Sequence, residues 1–467
     1  MLFNSFHFLI FFPVVCLIYF LIPIVRIRNY FLLAASYYFY MNWEPAYAIL
    51  LFLCTVVTFL CGEYIYKNDR YRNSALWIGI IINLSILFLF KYINFAGKLI
   101  TDVLSLLHVE MEMPGFTLLL PVGISFFIFQ TLGYMIDIYK KKITAETNFF
   151  DYALYVSFFP QLVAGPIERP GNLLPQFKIK HKPEYERMVI GLYWMLWGYF
   201  LKLVVADNCA TYVDTVFNNI ESLDGSSILL ASFFFTFQIY GDFGGYSMIA
   251  IGAAKVIGFN LMENFKRPYF STSINEFWRR WHISLSSWFR DYVYIPLGGN
   301  KVSKRRYYVN LFTTFAISGL WHGANYPYVV WGLYHGTLAG IGASKFKKKE
   351  KTNKKNTIYK ILNIIGTFLL VMIGWMIFRL NNINDIIPLS KRLFTNFSQP
   401  FWKDIFIFLP FVIGLVILKD LLEERQISIE NVLKKSFLVN VLVLTSLLSI
   451  ILILGNLTGS SFIYFQF

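Results

Sequence analysis

Apolar residues run in long unbroken blocks along the chain, at about 8–25, 30–41, 45–66, 75–96, 116–138, 187–206, 227–257, 308–344, 357–380, 404–418 and 437–455. The blocks are continuous rather than alternating. That pattern predicts helices buried on all sides and excludes an outer-membrane barrel, whose strands alternate. A bilayer span needs about 20 such residues, and since some blocks are longer and some shorter, the pattern predicts about 10–13 spanning segments. The first block ends at Arg26 and Arg28. It has no basic stretch before it and no small-x-small cleavage site after it, so it reads as a retained helix and not a signal peptide. Two stretches are interrupted, one by Pro160, Gly165, Pro166 and Pro170, the other by Gly319, Gly323 and Pro327. Irregular backbone at membrane depth survives only inside protein or beside a wet cavity. The breaks thus suggest a funnel or re-entrant region, against the plainer reading of loops dipping to the interface.

Composition excludes a soluble protein. Of 467 residues, 57% are apolar and only 15% charged, against roughly 25% charged in ordinary soluble domains. The net charge of +15 suits cytoplasmic loops, where Lys and Arg collect. No nucleic-acid module accompanies it, so membrane lipid and not nucleic acid is the expected surroundings. The densest run, residues 345–355, holds seven Lys and one Glu. It is expected to face the cytoplasm. A cysteine placed there should resist a membrane-impermeant thiol reagent applied to intact cells, and ready labelling would reverse the orientation. Four scattered cysteines, without a C-x-x-C pair, indicate neither a metal site nor a disulfide framework. No internal repeat or soluble domain is evident, so residues 1–467 read as a single integral membrane domain.

Candidate chemistry centres on histidine. Tyr307 to Ser344 is a 38-residue stretch without Asp, Glu, Lys or Arg, and His322 lies near its middle. An ionisable group at membrane depth is expensive and marks a functional site by default; a helix–helix hydrogen bond is the structural alternative. Gly319 and Gly323 beside it permit close approach of a substrate or another backbone. His335 shares the stretch but sits nearer the basic run. His7, His108 and His181 lie at segment ends and read as solvated. Ser273 with Glu276 forms a capping box opening a helix expected to run to about Tyr294. On that helix Asn275, Arg279, His282, Ser286 and Arg290 form a polar stripe beside an aromatic one of Trp278, Trp281, Leu285, Trp288 and Tyr292. It reads as an interfacial helix, either a simple anchor or one whose arginines take phosphates. Asp242, in another apolar block, is expected to pair with an arginine or hold a histidine tautomer. Ser125, Gln130, Thr131 and Asp137 are further polar groups on one predicted span. No nucleophile elbow, P-loop or H-E-x-x-H motif occurs.

The segments Pro121-Val-Gly-Ile-Ser-Phe-Phe127, Ala164-Gly-Pro-Ile167, Tyr240-Gly-Asp-Phe-Gly-Gly-Tyr-Ser247, Phe277-Trp-Arg-Arg-Trp-His-Ile-Ser-Leu-Ser286, Trp288-Phe-Arg-Asp-Tyr292, Tyr294-Ile-Pro-Leu-Gly-Gly299 and Gly319-Leu-Trp-His-Gly323 together resemble the membrane-bound O-acyltransferase family, on its alginate-acetylating side. They cover roughly 115–340. One departure is Gly244-Gly245, where relatives more often carry Ser before Gly-Tyr-Ser. The resemblance implies an all-α ring of transmembrane helices around a funnel or tunnel, multi-pass in the cytoplasmic (inner) membrane. It implies acetyl-CoA as donor substrate, with no bound cofactor or metal. The acetyl group would reach an exported polysaccharide through a separate extracytoplasmic O-acetyltransferase. His322 would be the catalytic base and His282 its support. Asn275, Arg279, Arg280, Ser286, Arg290 and Asp291 would line the donor site, Asp242 would be a further polar contact, and Trp321 and Asn325 would be candidates for the oxyanion. Two alternatives stand beside this. One is D-alanyl transfer to teichoic acid, whose enzymes share the two histidine motifs. The other is a lipid-linked sugar transporter, for which repeated halves are expected.

Overall fold

A computed structural model describes residues 1–111, 113–346, 357–395, 397–403, 406–434, 436–457 and 462–463. Residues 347–355 of the basic run lie outside the described residues. Every regular element among the described residues is helical, as expected for a polytopic membrane protein. Among the described residues, five helices are long and apolar enough to cross a membrane: Ala46–Lys67, Arg72–Leu106, Tyr185–Phe217, Thr357–Arg379 and Phe437–Leu454. Other apolar blocks fold into shorter helices, such as Phe6–Leu21 and Ile124–Tyr139. The 308–344 block divides into Lys304–His322 and Tyr326–Phe346. The chain forms two compact units, Met1–Met188 with Ala253–Met262, and Val189–Gly252 with Glu263–Phe467.

In the first unit helices approach through small residues, as in membrane bundles. A Cβ on Gly62 would meet the Tyr134 ring at 2.7 Å. The interrupted stretch is interior. Residues 158–168 are buried throughout, although only Phe159–Leu162 is helical. Several polar groups in and around it find internal partners, as burial favours. The Tyr155 carbonyl accepts from Gln130 Nε2 at 2.6 Å and Gln161 Nε2 at 2.8 Å. The Glu168 carboxylate accepts from Asn172 Nδ2 at 2.7 Å and from the Met262 amide. His181, expected in solvent, instead packs on Phe259 at 4.6 Å, and its carbonyl receives the Arg28 guanidinium at 2.5 Å.

In the second unit two long helical segments each pass through a π-turn, Phe200–Ala206 and Tyr240–Gly244. They meet almost backbone to backbone. A Cβ on Gly245 would stand 2.6 Å from the Gly198 carbonyl. Within this seam Lys202 bridges Asp207 at 2.8 Å and Asp242 at 2.6 Å, and Asp242 also accepts the Ile463 amide at 2.6 Å. All three charged side chains are buried. The Lys304–His322 and Tyr326–Phe346 helices form a hairpin closed by Gly319, whose α-carbon lies against the Tyr328 carbonyl. Gly319 thus serves approach of a second backbone, one of the two uses its position allowed.

One predicted element is corrected. The helix starts as expected: Ser273 Oγ accepts the Glu276 amide at 3.2 Å and a helix begins at Ile274, while the Glu276 carboxylate accepts from the Thr272 amide rather than from that of Ser273. That helix stops at Arg280, and a new one runs Ile283–Phe289 into a π-turn, Arg290–Tyr294. The single helix to Tyr294 and its continuous stripe do not exist. His282 sits at the corner in the left-handed region, φ +44° and ψ +55°. Asn264 holds the corner from outside. Its carbonyl accepts the Ile283 amide at 2.9 Å and its side-chain oxygen accepts the Ser284 amide at 3.2 Å. Those are first-turn N–H groups that the second helix cannot satisfy itself.

Candidate functional site

The broken helix brings two histidines together. His282 and His322 have ring centroids 6.5 Å apart and are 1% and 3% exposed. His322 is the last residue of its helix. Its ring is enclosed by Trp321 at 5.1 Å, Trp331 at 5.0 Å and Phe378 at 5.5 Å. His282 lies 4.5 Å from Phe243, in the π-turn that also carries Asp242, and 5.9 Å from Trp321. His335 is set apart from this pair. It is fully buried, 5.1 Å from the Trp331 ring and 5.1 Å from Trp278. A Cβ on Gly374 would meet its Nε2 at 2.5 Å.

The arginines separate. Arg279, Ser286 and Arg290 line one cavity of about 270 Å³, walled by Trp278, Leu285 and Phe315 among others. Ser318 also lines it, one helical turn before His322. Arg279 and Arg290 are exposed, and Arg290 pairs with Asp291 at 2.8 Å. Arg280 faces elsewhere, as the next residue on a helix must. It bonds Glu276 at 2.5 Å and Glu424 at 2.9 Å, and borders a separate polar cavity of about 590 Å³ with Arg267, Lys419 and Glu423. Burial works to raise the Glu276 pKa. Hydrogen bonds from the Thr272 hydroxyl and amide, with the Arg280 charge, prevail and hold the carboxyl below its ordinary value.

The remaining sequence candidates have structural partners. Asn275 packs its amide against Gly342. Asn325 opens the Tyr326–Phe346 helix: its Oδ1 accepts the Tyr326 amide at 2.8 Å, and its Nδ2 donates to the Asn381 carbonyl at 2.8 Å. Asp242 is held by Lys202, and not by the arginine or histidine expected. Sequence reading missed Lys202, Asn264, Phe243 and Trp331 as parts of this centre. A lone Lys within the 187–206 apolar block was the one visible signal. Among the described residues no three His, Cys, Asp or Glu side chains gather as a metal site.

A sequence profile of the membrane-bound O-acyltransferase family matches residues 140–380, a range that holds both histidines and all three arginines. The chain is 40% identical over 406 residues to a probable alginate O-acetylase of Pseudomonas aeruginosa, covering 85% of this chain and 75% of that one. It is 35% identical over 390 residues to a peptidoglycan O-acetyltransferase of Helicobacter pylori, covering 78% and 73%. With a teichoic acid D-alanyltransferase of Bacillus subtilis the identity is 28% over 345 residues, covering 71% and 84%. The paired buried histidines therefore stand in a multi-pass enzyme, and the chain belongs to the membrane-bound O-acyltransferase family.

Proposed function

We propose that this O-acyltransferase moves an acetyl group from acetyl-CoA, in the cytoplasm, across the inner membrane for O-acetylation of an exported or cell-wall polysaccharide. A separate extracytoplasmic O-acetyltransferase completes delivery to the glycan. The observation that carries this reading is the enclosure of His322, with His282 at 6.5 Å, one helical turn from a cavity flanked by two exposed arginines. Arg279 and Arg290 take the donor's phosphates, for which the planar guanidinium is suited, while Ser286 offers a neutral hydrogen bond. The donor's thioester end reaches past Ser318. His322 removes the proton of the acceptor hydroxyl as its oxygen attacks the thioester carbon, and later returns it to the departing thiolate. His282 supports it from the left-handed corner. Identities of 35–40% to enzymes named for O-acetylation support acetyl as the group transferred.

The test is donor saturation in membranes containing the full chain. Arg279→Gln with Arg290→Gln should raise the acetyl-CoA KM by about tenfold or more, the loss of a charge-assisted hydrogen bond being about 1.5–3 kcal/mol. Arg280→Gln, whose guanidinium is engaged by Glu276 and Glu424, should leave that KM in place. An unchanged KM in the double variant would reduce the cavity arginines to membrane contacts. D-alanyl ester in place of acetyl ester on the cell-wall polymer would establish the second reading, which the 28% match supports.

A further inference from the structure

The Lys304–His322 helix ends on the proposed base. Main-chain groups left over at such an end are carbonyls, not N–H groups. Their partial negative charge has the wrong sign for an oxyanion. The following amide is turned inward as well: the Gly323 N–H donates to the Gly319 carbonyl at 3.4 Å. The main chain beside His322 thus offers a tetrahedral intermediate no donor, and a side chain has to supply one; Trp321 is on the same helix, with its ring 5.1 Å from His322.

Asn325 is already engaged in capping, its Oδ1 accepting the Tyr326 amide and one Nδ2 hydrogen donated to the Asn381 carbonyl. Phe378 has no donor to give. Trp331 does. It stands on the facing Tyr326–Phe346 helix, edge to face with His322 at 5.0 Å and 87°, and is wholly buried. Its indole N–H has no hydrogen-bond partner among the described residues. Native proteins pair nearly all such groups, so an unpaired one calls for a functional or structural reason. The ring is also clamped, stacked on Trp375 at 5.8 Å and 20°, with Phe378 at 5.3 Å and His335 at 5.1 Å. A donor fixed before the reaction needs no reorganisation when charge develops.

The geometry points to the Trp331 indole N–H as the hydrogen-bond donor to the acetyl oxygen of the thioester during transfer. This rests on the reading of His322 as base. The acceptor oxygen bonds to the carbonyl carbon while its proton passes to His322. The carbonyl π pair moves onto oxygen, which Trp331 then holds. Collapse restores C=O, breaks the C–S bond and sends the thiolate the proton from His322, leaving an acetyl ester and free CoA thiol.

The experiment replaces Trp331 site-specifically in the full chain by benzothienylalanine, which keeps the bicyclic shape but has sulfur in place of N–H. A second protein carries 5-fluorotryptophan there, which keeps the N–H. Thiol release from acetyl-CoA and ester acetyl are measured in membranes, with the membrane's own glycan as acceptor and protein levels matched. Loss of one oxyanion donor typically lowers kcat about 10²–10³-fold; that fall is expected for benzothienylalanine with the acetyl-CoA KM held, and 5-fluorotryptophan should restore most of the rate. Full turnover with benzothienylalanine overturns the assignment. So does equal loss with both analogues, since that would be a packing effect. His322→Ala is assayed beside them: retained activity there removes the base, whereas an inactive His322→Ala with an active benzothienylalanine protein removes only the Trp331 donor.

Discussion

His322→Ala is expected to leave almost no ester acetyl on the glycan while the protein remains in the membrane at ordinary level. Removing a general base typically costs about 10²–10⁴-fold, and no other imidazole is placed to replace it. His282 is 6.5 Å away, at a corner fixed by Asn264. His335 packs on Trp331 at 5.1 Å, about one turn further along that helix. The truncation also removes a ring packed by Trp321, Trp331 and Phe378, so folding has to be measured separately. The decisive comparison is acetyl content per unit of membrane-inserted protein, with His335→Ala alongside. Normal acetylation in His322→Ala would sink the base assignment. Loss in His335→Ala alone would move the chemistry thirteen residues along the chain, into the second helix of the hairpin.

Lys202→Met should fail at an earlier stage, in assembly. The lysine holds two buried carboxylates, Asp207 at 2.8 Å and Asp242 at 2.6 Å. Breaking a buried pair by removing one partner typically costs about 3–5 kcal/mol, a large share of the roughly 5–15 kcal/mol that holds a typical protein together. Methionine keeps the length of the side chain and leaves both acids without their cation. The expected result is a sharp drop in membrane level and in detergent melting temperature. Lys202→Arg, which keeps the charge, should lose less. A Lys202→Met protein that accumulates and melts like the parent would show that the triad contributes nothing to stability. The same lesion should disturb His282 indirectly, because the π-turn holding Asp242 also sets Phe243 against that ring.

The contrast between these residues marks how far the sequence was readable. Continuous apolar blocks made a helical membrane protein unavoidable, because composition and period depend on no tertiary detail. His322 was visible because a titratable group stands out in 38 residues without charge. The start of the Ile274–Arg280 helix was visible because a capping box is local chemistry. Its end was not. Neither Gly nor Pro marks the Trp281–His282 break, and the corner is held by Asn264, eighteen residues upstream. For the same reason a helical wheel placed Arg279, His282 and Ser286 on one continuous stripe, whereas the backbone turns between them. Asp242 showed its burial in the sequence but not its partner, since Lys202 comes from a different helix. Trp331 gave no signal at all: among 11 tryptophans, an unpaired indole N–H is a property of the fold alone.

The lysine triad also bears on how the chain enters the bilayer. Lys202 and Asp207 belong to one continuous helical segment, five residues apart. Their charges cancel locally, so the two enter the bilayer as a neutral pair, although each charge alone costs about 2.5–3.5 kcal/mol at the centre of a helix. Asp242 follows on the next long segment with no opposite charge of its own nearby. It enters after the lysine is in place, and the Gly198–Gly245 seam lets the two backbones close far enough for the ion pair to form. The order of charges along the chain thus makes the earlier segment a receptor for the later one during biogenesis.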